Sequence, residues 1–174
     1  EEIAKHLVNK LDQFNERGSG WLLGYVSKCT VSTALYRPLS GSSFLPTPTI
    51  ILNKKAVVNI ENNDELCFIW SVLTHLHPAA DHPNRLYHYK KYTNELNVEG
   101  LTFPLAVSDV AKFEKLNTNL RINVLAYEEK DFIPLYLSKN HDRPIHIYLL
   151  LLSDVFMHHY TLLRCISRLI AGRT

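Results

Sequence analysis

Cys67 is the residue of this sequence whose type and position best suit covalent chemistry. It stands in NNDELCFIW, where polar residues give way to an apolar stretch that predicts a buried helix over residues 66–77. A helix amino terminus carries partial positive charge and free N–H groups, which stabilise a thiolate and lower the pKa of a cysteine. The position therefore predicts a nucleophile. The alternative is a small buried side chain, which is how Cys29 and Cys165 are better interpreted.

A nucleophilic cysteine needs a base, usually a histidine that the fold brings close. His75 and His77 lie on the cysteine's own predicted helix, too far along it to reach the sulfur. The predicted strand HHYTLL begins with His158 and His159. Alternation along a strand sends these two side chains to opposite faces, so at most one of them can face the thiol.

The elements that must position these residues predict an α+β fold. Helices are predicted over residues 2–16, 66–77, 84–92 and 108–117, with Asn84 and Ser108 as caps of the last two. Extended segments are predicted over residues 21–35, 50–60, 121–127, 132–137, 146–152 and 159–166. Helices thus dominate the first part of the chain, and we expect a meandering antiparallel sheet in the last part.

The composition restricts the classes of function. The 174 residues favour one domain, residues 1–174, and 46% of them are apolar, enough to form a core. The chain begins at Glu1 and its only methionine is Met157, so we expect a domain of a longer protein. The 19 basic and 17 acidic residues give a net charge of +2, which argues against a strongly basic, nucleic-acid-binding surface.

The same composition gives no reason to expect a metal, a cofactor or a membrane span. No Cys-x-x-Cys pair is present, so no zinc site is expected. The apolar run at residues 147–152 is far too short to cross a bilayer. Three cysteines, an odd number, fit a reducing intracellular compartment, cytoplasmic or nuclear, better than a disulfide framework.

Several motifs resemble those of deubiquitinases with a papain-like fold. That fold places a cysteine at the start of a buried helix and a histidine on a later strand of an antiparallel sheet. DELCF resembles the Asp-x-x-Cys signature of OTU-type enzymes, and HYTLL resembles the His-Tyr pair of OTU-type and ubiquitin-specific proteases. Asn62, five residues before Cys67, matches the oxyanion-hole asparagine of the ubiquitin-specific proteases.

The whole chain also resembles a domain of arthropod proteins that large virus-like transposons encode upstream of a DNA polymerase region. The residues that carry this likeness are GSGW, LPTPTIILNKKAVVNIENNDELCFIW, FPLAVSDVAKFEKLN and HYTLLRCISRL. Such domains are similar to the deubiquitinase of herpesviral large tegument proteins.

The resemblance implies a cysteine-type deubiquitinase with ubiquitin or polyubiquitin as its partner. Cys67 would be the nucleophile and His159 the general base and acid, with Asn62 and the Cys67 N–H forming the oxyanion hole. Thr161 and Met157 occupy the positions where related enzymes place the residue that orients the histidine, and neither supplies a carboxylate. We therefore predict Asp64 as that residue, with Asp154 as the second choice and a plain dyad as the alternative.

Acidic residues near the predicted site suit the tail of ubiquitin, which carries two arginines and a double glycine. The predicted substrate-binding residues are Glu61, Glu65, Trp70, Glu128, Glu129 and Asp131. Two other functions stay open at this point. One is a protease-like fold that binds ubiquitin or another partner without activity. The other is a DNA-associated module of a mobile element that uses basic residues, namely Lys54, Lys55, Lys90, Lys91, Arg164, Arg168 and Arg173.

Overall fold

The computed structural model describes Lys5 and residues 44–128, 131–154 and 157–170. The chain divides into two compact units, residues 1–36 and residues 37–174. All of the structure reported below belongs to the second unit. The helix predicted over residues 2–16, apart from Lys5, and the strand predicted over residues 21–35 lie outside the described residues. Cys29 also lies outside them.

The second unit combines short helices with a sheet and is α+β. Its α-helices are α1 Thr49–Leu52, α2 Cys67–Leu76, α3 Val110–Leu116 and α4 Ile166–Ile170. Its strands are β1 Val57–Val58, β2 Leu120–Glu128, β3 Asp131–Leu137, β4 Ile145–Ser153 and β5 His158–Leu163. Among its described residues, 3₁₀ turns cover Leu86–His88, Lys90–Glu95 and Val107–Asp109.

The five strands form one sheet in the order β1-β5-β4-β2-β3. β4 pairs with β5 and β2 with β3 in antiparallel fashion, but β2 and β4 run parallel. The expectation of a simple meander is therefore wrong, because the chain crosses from β3 past β2 to reach β4. Pro134 fits this order: it lies in β3, an edge strand, where a missing N–H need not cost a ladder hydrogen bond.

The two faces of the sheet bury separate apolar clusters. Phe68 and Val72 of α2 pack with Leu149, Tyr160 and Leu162 on one face. On the other face a smaller cluster is made by Ile51, Ala56, Leu150, Leu152, Leu163 and Leu169. Strand alternation accounts for this division, because neighbouring residues of β4 and β5 point to opposite sides.

The helix predicted at residues 66–77 is confirmed, and the helix predicted at residues 108–117 is present as α3. Residues 84–92 contain 3₁₀ turns instead of the predicted helix. Residues 50–60 are not extended throughout, because α1 occupies their first part. Asn84 does not cap a helix; its side-chain amide donates to Glu61 at 2.8 Å, and 3₁₀ turns follow. Ser108 lies inside a 3₁₀ turn that leads into α3 and makes no side-chain cap. None of the described helices is long and apolar enough to cross a membrane.

Candidate active site

Cys67 is the first residue of α2 and is fully buried. Strand β1 pairs with β5 only at Leu162 and Leu163. The first residues of β5 therefore extend beyond the end of β1. The start of α2 lies there, and the Tyr160 N–H donates to Cys67 Sγ at 3.5 Å. The thiol therefore lies beside the peptide bond that joins His159 to Tyr160.

Burial dominates the electrostatics of this thiol. It raises the pKa of Cys67 to about 12, because the charged thiolate loses its hydration. The N–H groups of Tyr160 and Phe68 act in the opposite direction, as expected at a helix start, while the charge of Asp64 raises the pKa further. The expectation of a lowered pKa is wrong in this conformation, since desolvation outweighs the backbone dipoles.

His159 is also fully buried, and it lies on β5 next to the residue that contacts the sulfur. Its Nε2 lies 2.7 Å from Asn59 Oδ1. The ring of Phe44 meets the imidazole edge-on, with 5.7 Å between ring centroids. His159 thus has an amide partner on one ring nitrogen and an aromatic neighbour at its side.

The face on which His159 lies differs from our expectation. His159 pairs with Leu152 in register, and Leu152 belongs to the cluster on the face away from α2. Tyr160 points the other way and packs on Phe68 of α2, with centroids 5.2 Å apart. The prediction that the face of His159 looks towards the body of α2 is wrong. Cys67 and Ser71 of α2 instead meet the backbone of β5 at Tyr160, where Sγ accepts from the N–H and the Ser71 hydroxyl donates to the carbonyl.

Asn59 is the site residue that sequence reasoning missed. It follows β1 directly, and its Nδ2 donates to the Leu45 carbonyl at 2.8 Å and to Thr47 Oγ1 at 2.9 Å. A carbonyl oxygen only accepts, so these bonds fix the amide with Oδ1 towards the imidazole. His159 Nε2 must then carry the proton and donate it to Asn59. The only signal in the sequence was a polar residue within the apolar run AVVNI.

Asp64 does not orient His159. Its carboxylate accepts from the Leu66 N–H at 3.0 Å, from Trp70 Nε1 at 2.9 Å and from Asn62 Nδ2 at 2.8 Å. These bonds tie the loop before α2 to the first turns of the helix. The prediction of Asp64 as the histidine's partner is wrong. The second choice, Asp154, is an exposed residue just after β4.

Asn62 is buried but does not present a donor to a substrate in this conformation. Its Nδ2 donates to both the carbonyl and the carboxylate of Asp64, at 2.7 and 2.8 Å. Its Oδ1 is buried and has no hydrogen-bond partner among the described residues. The predicted oxyanion-hole contact of Asn62 would require its side chain to leave Asp64. The backbone N–H of Cys67 remains the predicted donor at this position.

The predicted substrate-binding residues do not form one wall. Trp70 is buried and donates to Asp64, so its assignment to the substrate surface is wrong. Glu61 and Glu65 are exposed, but Glu61 is paired with Arg85 at 2.8 Å. Asp131 is an exposed residue at the start of β3.

Two further acidic residues were predicted at the β2–β3 turn. Glu129 and the side chain of Glu128 lie outside the described residues. In register, Ala126 pairs with Leu151, which pairs with Tyr160. The end of β2 therefore lies at the same end of the sheet as His159, two strands away from it.

No protein-family model matches the chain, and neither a curated protein nor a solved structure matches it significantly. Among the described residues, no group of three or more His, Cys, Asp or Glu side chains is placed to hold a metal ion.

Proposed function

We propose that this domain is a cysteine-type deubiquitinase with a papain-like arrangement, in which Cys67 attacks the carbonyl carbon of a ubiquitin-linked (iso)peptide bond. The observation that carries the proposal is the hydrogen bond between Asn59 Oδ1 and His159 Nε2, at the strand edge where Cys67 Sγ accepts from the Tyr160 N–H. A nucleophile, a histidine and an amide that orients the ring form the functional unit of this class of protease.

Asn59 determines which nitrogen of the ring can act. Because the amide engages Nε2–H, a base acting on the thiol must do so through Nδ1. Nδ1 takes the proton of Cys67 as the sulfur bonds to the substrate carbonyl carbon. The oxyanion of the tetrahedral intermediate then accepts from the Cys67 N–H. The imidazolium returns the proton to the leaving amine, and water hydrolyses the thioester that remains.

In this conformation burial raises the pKa of Cys67 to about 12, so the thiol is protonated at neutral pH. Cys67 is also inaccessible in this conformation, and acylation requires the groups that cover the sulfur to move. We therefore interpret the structure as a resting form that substrate converts to an open one.

Ubiquitin as the substrate rests on the resemblance of DELCF and HYTLL to deubiquitinase motifs. The exposed carboxylates of Glu65 and Asp131 are compatible with the basic tail of ubiquitin. An intracellular location follows from the same proposal, because ubiquitin conjugates are found there.

The decisive experiment uses ubiquitin that carries an electrophile at its carboxyl terminus. We expect a covalent adduct with the wild-type domain and with Cys165→Ala, whose sulfur is only half-buried and lies outside the site. Cys67→Ala should form none. An adduct that persists in Cys67→Ala would reject the proposed nucleophile.

The full burial of Cys67 favours one second candidate, a ubiquitin-binding module without activity. That candidate predicts binding of unmodified ubiquitin together with no adduct, even after long incubation at high pH. The same experiment, followed by a binding measurement with unmodified ubiquitin, separates the two functions.

A further inference from the structure

A groove of about 500 Å³ runs along the outer edge of β1 and reaches the candidate active site. Asn59, which holds His159, and Phe44, which packs on its ring, both line one end of the groove. Val57 and Val58 line it along β1, which is the edge strand of the described sheet. An extended segment can bind such an edge by adding its own backbone as a further strand.

The groove lining carries a net positive charge. Lys55 and Arg164 line it, and neither forms a salt bridge with a described residue. Among the described residues of the lining, Glu61 alone is acidic, and Arg85 neutralises it at 2.8 Å. Lys55 also has φ 48°, a left-handed conformation that a residue with a side chain seldom adopts. The groove therefore suits a ligand with carboxylates.

The distance between the charges and the site determines where those carboxylates must lie. Arg164 follows directly after β5 and is five positions from His159. At the rise of an antiparallel strand this corresponds to about 17 Å, or five residues of an extended ligand. Lys55, two positions before β1, lies near the same end, because Val57 pairs with Leu163.

We propose that this groove binds an acidic extended segment on the leaving-group side of the scissile bond, with carboxylates about three to five residues from the modified lysine. The inference rests on the proposed function. The other side of the bond is the tail of ubiquitin, whose two arginines would be repelled by Lys55 and Arg164. The cationic groove therefore selects among the proteins to which ubiquitin is attached, rather than recognising ubiquitin.

The test compares substrates that differ only on the leaving-group side. Ubiquitin is joined through an isopeptide bond to the lysine of a short peptide, with either three aspartates or three lysines at positions three to five from it. We expect wild-type kcat/KM to favour the acidic peptide by about tenfold at low salt, with the preference declining as salt screens the charges. Lys55→Glu combined with Arg164→Glu should bring the ratio to one or below.

Lys139→Glu is the matched control, because it reverses the charge of an exposed lysine beside β3, at the opposite edge of the sheet. It should retain the wild-type ratio. A ratio near one in the wild-type protein at low salt, with both peptides cleaved, would overturn the inference while leaving the proposed function intact.

A binding measurement on the full chain tests whether the groove binds an acidic segment, even if no substrate is cleaved. The anisotropy of the fluorescently labelled acidic peptide, without ubiquitin, should rise with the wild-type protein and with Cys67→Ala. It should not rise with the double charge reversal, provided that circular dichroism shows this variant folded. Equal binding of the acidic and basic peptides would reject the groove as an acidic-segment site, whatever the outcome for catalysis.

Discussion

Asn59 and His159 are 100 positions apart in the chain, yet Asn59 Oδ1 lies 2.7 Å from His159 Nε2. The two residues meet because β1 and β5 are neighbours in the sheet, and each residue lies close to the paired segment. Asn59 is in turn held by Leu45 and Thr47, so the orientation of the imidazole depends on a loop that has no regular secondary structure. This chain of contacts makes Asn59 a positioning residue in the proposed mechanism.

Asn59→Ala should lower kcat of ubiquitin hydrolysis by about tenfold to a hundredfold, because the ring loses the partner that fixes its tautomer. Asn59→Asp should retain part of the rate, since a carboxylate still accepts from Nε2–H. The carboxylate would also stabilise the imidazolium, so the acid limb of the pH–rate profile should move to higher pH. Thr47→Ala is the control for loss of loop contacts. Equal rate losses and unshifted profiles in all three variants would mean that Asn59 is only structural.

His159→Ala should reduce the rate by about a hundredfold to ten-thousandfold, the usual contribution of a general base. His158→Ala should be mild. His158 lies on the opposite face of β5, its Nδ1 is 3.0 Å from Ser153 Oγ, and burial lowers its pKa. Parallel kinetics on the two variants provide the comparison. The reverse ranking would assign the base to the face of β5 that packs against α2.

Asp64→Ala should destabilise the fold and leave the rate per folded molecule nearly intact. Its carboxylate accepts from the Leu66 N–H and the Trp70 indole, and losing bonds to a charged acceptor costs about 1.5–3 kcal/mol. Thermal unfolding and active-site titration measure the two quantities separately. Glu65→Ala, at an exposed neighbouring position, should leave the thermal stability unchanged. A large loss of rate in folded Asp64→Ala would return Asp64 to the catalytic group.

Cys67 should react slowly with iodoacetamide at pH 8, because a thiol with a pKa of about 12 is only about 10⁻⁴ ionised there. Half-buried Cys165 should react faster. Mass spectrometry after timed alkylation of a Cys29→Ser variant resolves the two sites. Fast modification of Cys67 would show that the open form predominates in solution.

The same burial predicts how stability depends on pH. The folded-state pKa of Cys67 is raised above its unfolded value, near 9.0, so the stabilisation is fully present below pH 9. Above pH 9 the unfolded chain loses the proton first, and stability should decline by up to about 1.4 kcal/mol per pH unit until about pH 12. Desolvation also raises the pKa values of Tyr89, Tyr136 and Tyr160. Denaturant unfolding of wild type and Cys67→Ala at pH 8, 9 and 10 isolates the contribution of the cysteine. If the free energy of unfolding changed equally with pH in both proteins, the burial of Cys67 would be contradicted.

The sequence alone determined much of the local structure, because hydrophobic periodicity and strand alternation are short-range properties. The helix that begins at Cys67 and the strand that carries His159 follow from apolar spacing within about a dozen residues. Strands β2, β3 and β4 were predicted to within one residue at each end for the same reason. The pairing of Cys67 with a histidine on HHYTLL came from the chemistry that a thiol nucleophile requires, and it remains a prediction.

Only the tertiary structure decided which polar groups meet. The parallel pairing of β2 with β4 and the pairing of β1 with β5 set the strand order, and no local pattern encodes that order. The order places Asn59 at His159, while Asp64, close to Cys67 in sequence, is bound by Trp70 and Leu66 instead. The sequence also could not predict the pKa of Cys67. A helix start alone would lower it, and only the packing around the sulfur shows that loss of hydration outweighs the backbone dipoles.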